Sequence, residues 1–256
     1  MKTIFITGGT TGLGWALAQH YVQAGYAVAI CGRDTTKLPA NFKLDYPSII
    51  FYQADVTDKL SLQTAVHDFI KQHNGRLDIM LANAGRSTGS KQQMPDFNTL
   101  QNIIDINLNG VVNAFAIATE LFLKQSGNIK GHLVAIGSVA GLVGLPGAAA
   151  YSCSKAAVLT LCESLAIDFP KYGIDVTAIA PGFIDTPLTQ QNDHKMPFII
   201  SADKAAGLIK TAIDQRKPLY IFPFRMRLFI TFAALLPRSW YRALMRLKIF
   251  NYSRGL

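Results

Sequence analysis

Tyr151 and Lys155 stand four residues apart in the run Tyr151-Ser152-Cys153-Ser154-Lys155. On a helix this spacing puts both side chains on one face. A free tyrosine has a pKa of about 10 and is a poor base at neutral pH. An ammonium beside it stabilises the phenolate and lowers that pKa. Such a pair can give a proton to a carbonyl oxygen or take one from an alcohol. A second reactive pattern lies near the N-terminus, in Thr7-Gly8-Gly9-Thr10-Thr11-Gly12-Leu13-Gly14. Glycines at 8, 12 and 14 let the backbone turn tightly and approach a pyrophosphate. A helix opening there would add free N–H groups and a positive dipole end. Thr10 and Leu13 belong to the same loop. The pattern is TGxxxGxG rather than the GxGxxG of the wider dinucleotide-binding class, and a plain strand-to-helix turn is the alternative.

The next apolar run ends Ile30-Cys31-Gly32-Arg33-Asp34. An acid at this point usually binds the ribose 2′-OH of NAD, whereas an Arg accommodates the 2′-phosphate of NADP. Gly32 occupies the acid's place and Arg33 follows, which favours NADP(H) over NAD(H). The competing reading makes Arg33 a solvated loop residue and Asp34 a cap.

These groups need a scaffold. Apolar runs recur at Ile4–Ile6, Ala27–Cys31, Ile49–Tyr52, Ile79–Ala82, Leu133–Ile136 and Val176–Ala180. Helical patterns separate them at Gly14–Ala24, Leu60–Gln72, Leu100–Gln125 and Ser152–Phe169. Strands alternating with helices predict an α/β, doubly wound, mostly parallel sheet covered on both faces. Half of the 256 residues are apolar, which excludes disorder. Cys31, Cys153 and Cys162 show no CxxC spacing, so a disulfide scaffold or zinc ribbon is excluded and a reduced, cytoplasmic setting is expected. The five histidines are scattered, and no metal site is predicted. The first apolar run is too short for a signal peptide.

The order and spacing of the remaining motifs resemble the short-chain dehydrogenase/reductase family, in its branch of about 250 residues. They are the glycine loop, Asn83-Ala84-Gly85, Asn107 ahead of Gly110, Ser138, the Tyr151–Lys155 pair thirteen residues on, Pro181-Gly182 and Thr186. The resemblance covers about residues 3–187. It implies a Rossmann-like fold and NADP(H)-dependent reduction of a ketone or aldehyde, or the reverse oxidation of a secondary alcohol. It further implies that Ser138 holds the substrate oxygen, that Lys155 also binds the nicotinamide ribose, and that Asn107 holds a water linking Lys155 to solvent. Asp55 and Val56 match the pair beside the adenine, although Asp55 could instead cap the helix near Leu60, with Asp58 a competing cap. Asn83 supports the sheet centre more than it touches the cofactor, the Ala84-Gly85 backbone lies along the cofactor, and Tyr151, Pro181, Gly182, Ile184 and Thr186 are placed near the nicotinamide. A homodimer or homotetramer is expected. The rival is an NADP(H)-sensing binding protein that acts through a partner without turnover.

The net charge of +9 is uneven. Residues 1–214 are neutral overall, and 215–256 hold nine cations and no acid. The chain therefore divides into a catalytic unit, 1–217, with a substrate lid at about 187–203, and a basic, apolar helical tail, 218–256. Apolar lid residues such as Phe198, Ile199 and Ile200 suit a lipid-like substrate, or pack onto the body. From residue 223 the tail predicts two short helices divided by Pro237, with Arg238, Arg242 and Arg246 as a basic stripe and Trp240, Leu244 and Leu247 on another face. Such a tail suits an anionic membrane surface, or it packs on its own body or a partner subunit. Its longest apolar stretch, Leu228–Leu236, is too short to span a bilayer. No nucleic-acid-binding pattern accompanies the charge.

Overall fold

The structure is a computed structural model that describes residues 1–87, 96–191 and 196–247. Of the expected lid, residues 192–195 lie outside these, as do residues 248–256 of the tail with Lys248 and Arg254. The elements in order are β1 (Thr3–Thr7), α1 (Gly12–Gln23), β2 (Ala27–Gly32), α2 (Phe42–Asp45), β3 (Ile49–Gln53), α3 (Lys59–Lys71), β4 (Ile79–Ala82), α4 (Phe97–Ile104), α5 (Gly110–Lys124), β5 (Gly131–Ile136), α6 (Ala149–Asp168), β6 (Ile174–Pro181), β7 (Ile184–Asp185), β8 (Ile200–Ser201), α7 (Ala202–Asp214), β9 (Leu219–Phe222), α8 (Phe224–Leu235) and α9 (Arg238–Met245).

Seven strands form one sheet in the order β3-β2-β1-β4-β5-β6-β9, all parallel. β7 and β8 form a separate parallel pair. Apolar runs become parallel strands here because each buries both faces. On β1, Phe5 enters the core layer shared with α3, α5 and α6, while Ile4 and Ile6 enter the layer shared with α1 and α7. β2 and β4 repeat this split, with Ala29 and Met80 on the first side and Ile30 and Leu81 on the second.

Three features go beyond the sequence reading. The pattern over Leu100–Gln125 is interrupted by a π-helical turn, Asp105–Asn109, between α4 and α5. The whole run Phe97–Lys124 is long and apolar enough to cross a membrane, yet half of its most apolar window is buried inside the protein, as in a core helix. Finally, β9 adds Leu219–Phe222 to the sheet from beyond residue 217.

His132 on β5 is buried, and its Nε2 lies 2.8 Å from the Thr177 hydroxyl. Burial, reinforced by Arg216, pulls its pKa from 6.5 to about 4. The folded chain therefore holds fewer protons than the unfolded chain between those values. Stability from this site is full above about pH 6.5 and is lost as pH falls through about 4, a change of about 3 kcal/mol. Denaturant unfolding at stepped pH should show this slope in the wild type and a flatter acid limb in His132→Gln. Parallel curves would contradict the assignment.

Candidate active site

The candidate residues emerge along the C-terminal edge of the sheet in strand order. Asp55 and Val56 follow β3, Arg33 follows β2, the glycine loop follows β1, Asn83–Gly85 follow β4, Ser138 follows β5, and Pro181 and Gly182 end β6. From β3 to β5 is four strand spacings, roughly 19 Å. They line one cleft of about 620 Å³. Gly8, Thr10, Gly12, Leu13, Gly14, Ala84, Tyr151, Lys155, Ile184 and Thr186 also line it; Asn107 does not. The order reverses across β1 and β4, where open α/β sheets bind ligands.

The glycine loop is built for close approach. Gly8 sits at φ +65°, and a Cβ there would meet the Ala84 Cα at 2.6 Å. The Asn83 amide holds the loop to β4 by donating to the Gly8 and Thr7 carbonyls, at 2.9 and 3.1 Å. Asn83 is thus a brace for the loop. α3, α4 and α7 are capped by the side chains of Asp58, Asp96 and Ser201. Thr11, at the head of α1, caps nothing with its side chain. The free N–H groups of α1 consequently open toward the cleft, a geometry that fits a pyrophosphate.

At the β2–β3 end of the cleft, Arg33 is exposed and lies 3.7 Å from Asp55. Asp34 accepts from the Thr36 N–H at 2.9 Å, so it does cap the following turn. Asp55 accepts from Thr57, while Asp58 caps α3. A side chain at Gly32 would run into the Thr10 methyl at 2.7 Å, so Thr10 fills the space of the missing acid. The sequence reading passed over Lys37, which lines the same end 3.9 Å from Asp34. Its cationic type four residues after Arg33 was the available signal. Ile106, Leu188 and Thr189 also line the cleft and had no motif to mark them.

Tyr151 and Lys155 share the cleft face of α6, with the Lys155 Nζ 5.8 Å from the phenol ring centre. Lys155 is buried and donates to the Ile136 carbonyl at 2.7 Å; burial lowers its pKa to about 8. The Tyr151 pKa is not lowered as the sequence predicted. Burial raises it above the ordinary tyrosine value, and the Ser138 hydroxyl hydrogen-bonded to it only partly offsets this. Ser138 Oγ also accepts from the Ala140 N–H at 3.1 Å, so it caps its turn as well as facing Tyr151. Asn107, fully buried on the π turn, donates to the Arg86 carbonyl and to Ser154 Oγ, both at 3.0 Å, and accepts from the Arg86 N–H at 2.7 Å. Ser154 Oγ donates in turn to the Tyr151 carbonyl at 2.9 Å. Asn107 therefore braces the Tyr151 turn. Among the described residues no cluster of three or more metal-ligating side chains occurs.

Comparison with known proteins finds relatives and structural neighbours along most of the chain. An uncharacterized oxidoreductase of Myxococcus xanthus is 30% identical over 248 residues, covering 96% of each chain. The 3-oxoacyl-[acyl-carrier-protein] reductase MabA of Mycobacterium tuberculosis is 29% identical over 195 residues, covering 76% of this chain and 74% of that one. The crystal structure of a short-chain dehydrogenase from Streptomyces avermitilis superimposes with a TM-score of 0.77 over 95% of each chain, at 23% identity, and so shares the fold. The family model for short chain dehydrogenase matches residues 2–197. With the parallel sheet and its edge cleft, this makes the chain a member of the short chain dehydrogenase family, whose proteins are NAD(P)-dependent oxidoreductases.

Proposed function

We propose that this protein is an NADP(H)-dependent carbonyl reductase, converting an apolar or lipid-like ketone or aldehyde to the alcohol, or the reverse. The observation that carries this reading is the convergence of Ser138, Tyr151 and Lys155 on one wall of a cleft that also holds the uncapped glycine loop. When bound, the nicotinamide supplies the hydride. Burial keeps Tyr151 protonated at neutral pH, which is the form a general acid needs to protonate a carbonyl oxygen. Ser138 holds that oxygen beside the phenol. Lys155, with a pKa of about 8, is mostly ammonium at pH 7 and stabilises the phenolate left after proton donation. Asn107 anchors the water that reconnects Lys155 to solvent.

The rest of the cleft suits the cofactor. Gly8, Thr10, Gly12, Leu13 and Gly14 cradle the pyrophosphate; Asp55 and Val56 hold the adenine; Asn83, Ala84 and Gly85 run alongside. Lys155 takes the ribose hydroxyls, and Pro181, Gly182, Ile184 and Thr186 hold the carboxamide end. The Thr10 methyl against Gly32, with Arg33 and Lys37 close by, supports NADP(H) over NAD(H). The exposed Arg33–Asp55 contact is weak enough for Arg33 to turn onto a 2′-phosphate.

Initial rates with NADPH and NADH across a panel of apolar carbonyl compounds test the activity and the preference together. Arg33→Ser should raise the KM for NADPH about tenfold, the scale of one charge-assisted contact, and leave that for NADH within about twofold. Equal changes for both cofactors would remove Arg33 from 2′-phosphate recognition. Three free cysteines support a reducing, cytoplasmic setting. The assembly is a homodimer or homotetramer, and the C-terminal tail holds the enzyme at an anionic membrane surface.

A further inference from the structure

α8 is apolar on two opposite faces, and among the described residues only one is covered. Met226, Ile230 and Ala233 are buried in a small core with Val139 and Val143, from the segment after Ser138, and with Tyr241 and Met245 of α9. The Tyr241 hydroxyl donates to the Gly144 carbonyl at 2.6 Å and pins α9 to the same segment. On the far side, Phe224, Leu228, Phe232 and Leu235 are 69%, 57%, 64% and 79% exposed. At 3.6 residues per turn these four fall within about 80° of arc, directly opposite the buried set. A soluble helix surface has no use for four large apolar side chains in one stripe.

The charges beside the stripe select its occupant. Arg225, Arg227, Arg238, Arg242 and Arg246 are all exposed, and none pairs with a carboxylate among the described residues. By contrast, Arg216 pairs with Asp175 of the body. A second copy of this chain docked face to face would bring these arginines against each other. An anionic bilayer offers both partners at once: acyl chains for the stripe and phosphate headgroups for the arginines. We propose that the outer face of α8, flanked by α9, is the element that docks on an anionic phospholipid surface, lying in the interface plane.

The face is joined to the cleft. The Gly182 N–H, on the cleft wall, donates to the Phe222 carbonyl at 2.7 Å, immediately before α8 begins. Arg225 lies over the Phe198 ring in the lid region, 5.7 Å from its centre. The inner face of α8 backs the segment that follows Ser138. The docking helix therefore packs directly behind the segment that carries Ser138 on the cleft wall. The substrate consequence, an apolar carbonyl compound or alcohol taken from the lipid phase, rests on the carbonyl-reductase reading; the docking does not.

Co-sedimentation of the full-length protein with phosphatidylcholine vesicles, with and without phosphatidylglycerol, tests it. The wild type should bind the anionic vesicles at least about tenfold more tightly than the neutral ones. The double variant Leu228→Ser/Phe232→Ser should bind anionic vesicles at least about tenfold more weakly than wild type, at an unchanged melting temperature. Arg238→Gln/Arg242→Gln should also bind more weakly and show a shallower salt dependence. Tyr151→Phe should bind like wild type, so a failed catalytic reading cannot mimic failed docking. No binding by the wild type, or equal binding by the Leu228/Phe232 variant, would overturn the proposal. So would a smaller oligomer of that variant in light scattering, which would make the face a contact between copies.

Discussion

Tyr151→Phe should lower kcat/KM for a good carbonyl substrate by about a thousandfold, within the range for loss of a general acid. Its affinity for NADPH should stay within about threefold of wild type, since the substitution removes one hydroxyl and keeps the ring on the cleft wall. The size follows from the absence of a substitute. Ser138 faces the same position but has an ordinary aliphatic hydroxyl, and Lys155 is turned to the Ile136 carbonyl at 2.7 Å. Asn107 is occupied by Arg86 and Ser154. A residual rate within tenfold of wild type would mean that another group donates the proton. Rates and fluorescence-titrated cofactor affinity decide this together.

Gly8→Ala should cost the fold about 3 kcal/mol and remove most of the NADPH affinity. Two costs combine. A non-glycine residue at φ +65° is strained by about 1–2 kcal/mol. The added methyl would also stand 2.6 Å from the Ala84 Cα, and backbone of the central sheet cannot yield cheaply, which adds about 1–3 kcal/mol. In a chain of this size the sum lowers the melting temperature by roughly 6–12 °C. Gly25→Ala is the control: its φ is +77°, but a Cβ there meets nothing within 4 Å. It should lose only the strain part and keep wild-type affinity for NADPH. Equal losses at both positions would show that the close approach to Ala84 contributes nothing.

The parallel sheet was readable because its strands are continuous apolar runs, and runs such as Ile79–Ala82 have the same limits in sequence and structure. The glycine loop, Arg33 and the Tyr151–Lys155 pair were readable from type and spacing, whereas the other cleft residues followed only from the resemblance to the short-chain dehydrogenase/reductase family. The π turn was not, because Asn107 sits in an otherwise regular apolar helical pattern and its effect comes from long-range bonds to Arg86 and Ser154. β9 escaped because four residues after Pro218 carry no periodicity, and pairing with β6 alone makes them a strand. The two tail helices divided by Pro237 were legible, but their faces were not. α8 is apolar on two opposite faces, so only the position of Val139 and Val143 decides which of them is covered. α9 ends at Met245, which leaves Arg246 at the C-cap beyond Arg238 and Arg242, where a cation complements the helix dipole. The phenol shift was misjudged because burial of the site, which outweighs the Ser138 hydrogen bond, is not written in a Tyr–Lys spacing.

The central claim is that this cleft performs turnover and does not merely bind a nucleotide. The most direct measurement incubates the full-length protein with NADPH and an apolar ketone, following NADPH absorbance and the alcohol product together. One alcohol should form per NADPH consumed, with both rates lowered about a thousandfold in Tyr151→Phe. Tight NADPH binding without consumption, across a broad panel of ketones and aldehydes, would contradict it and would make the protein a nucleotide sensor.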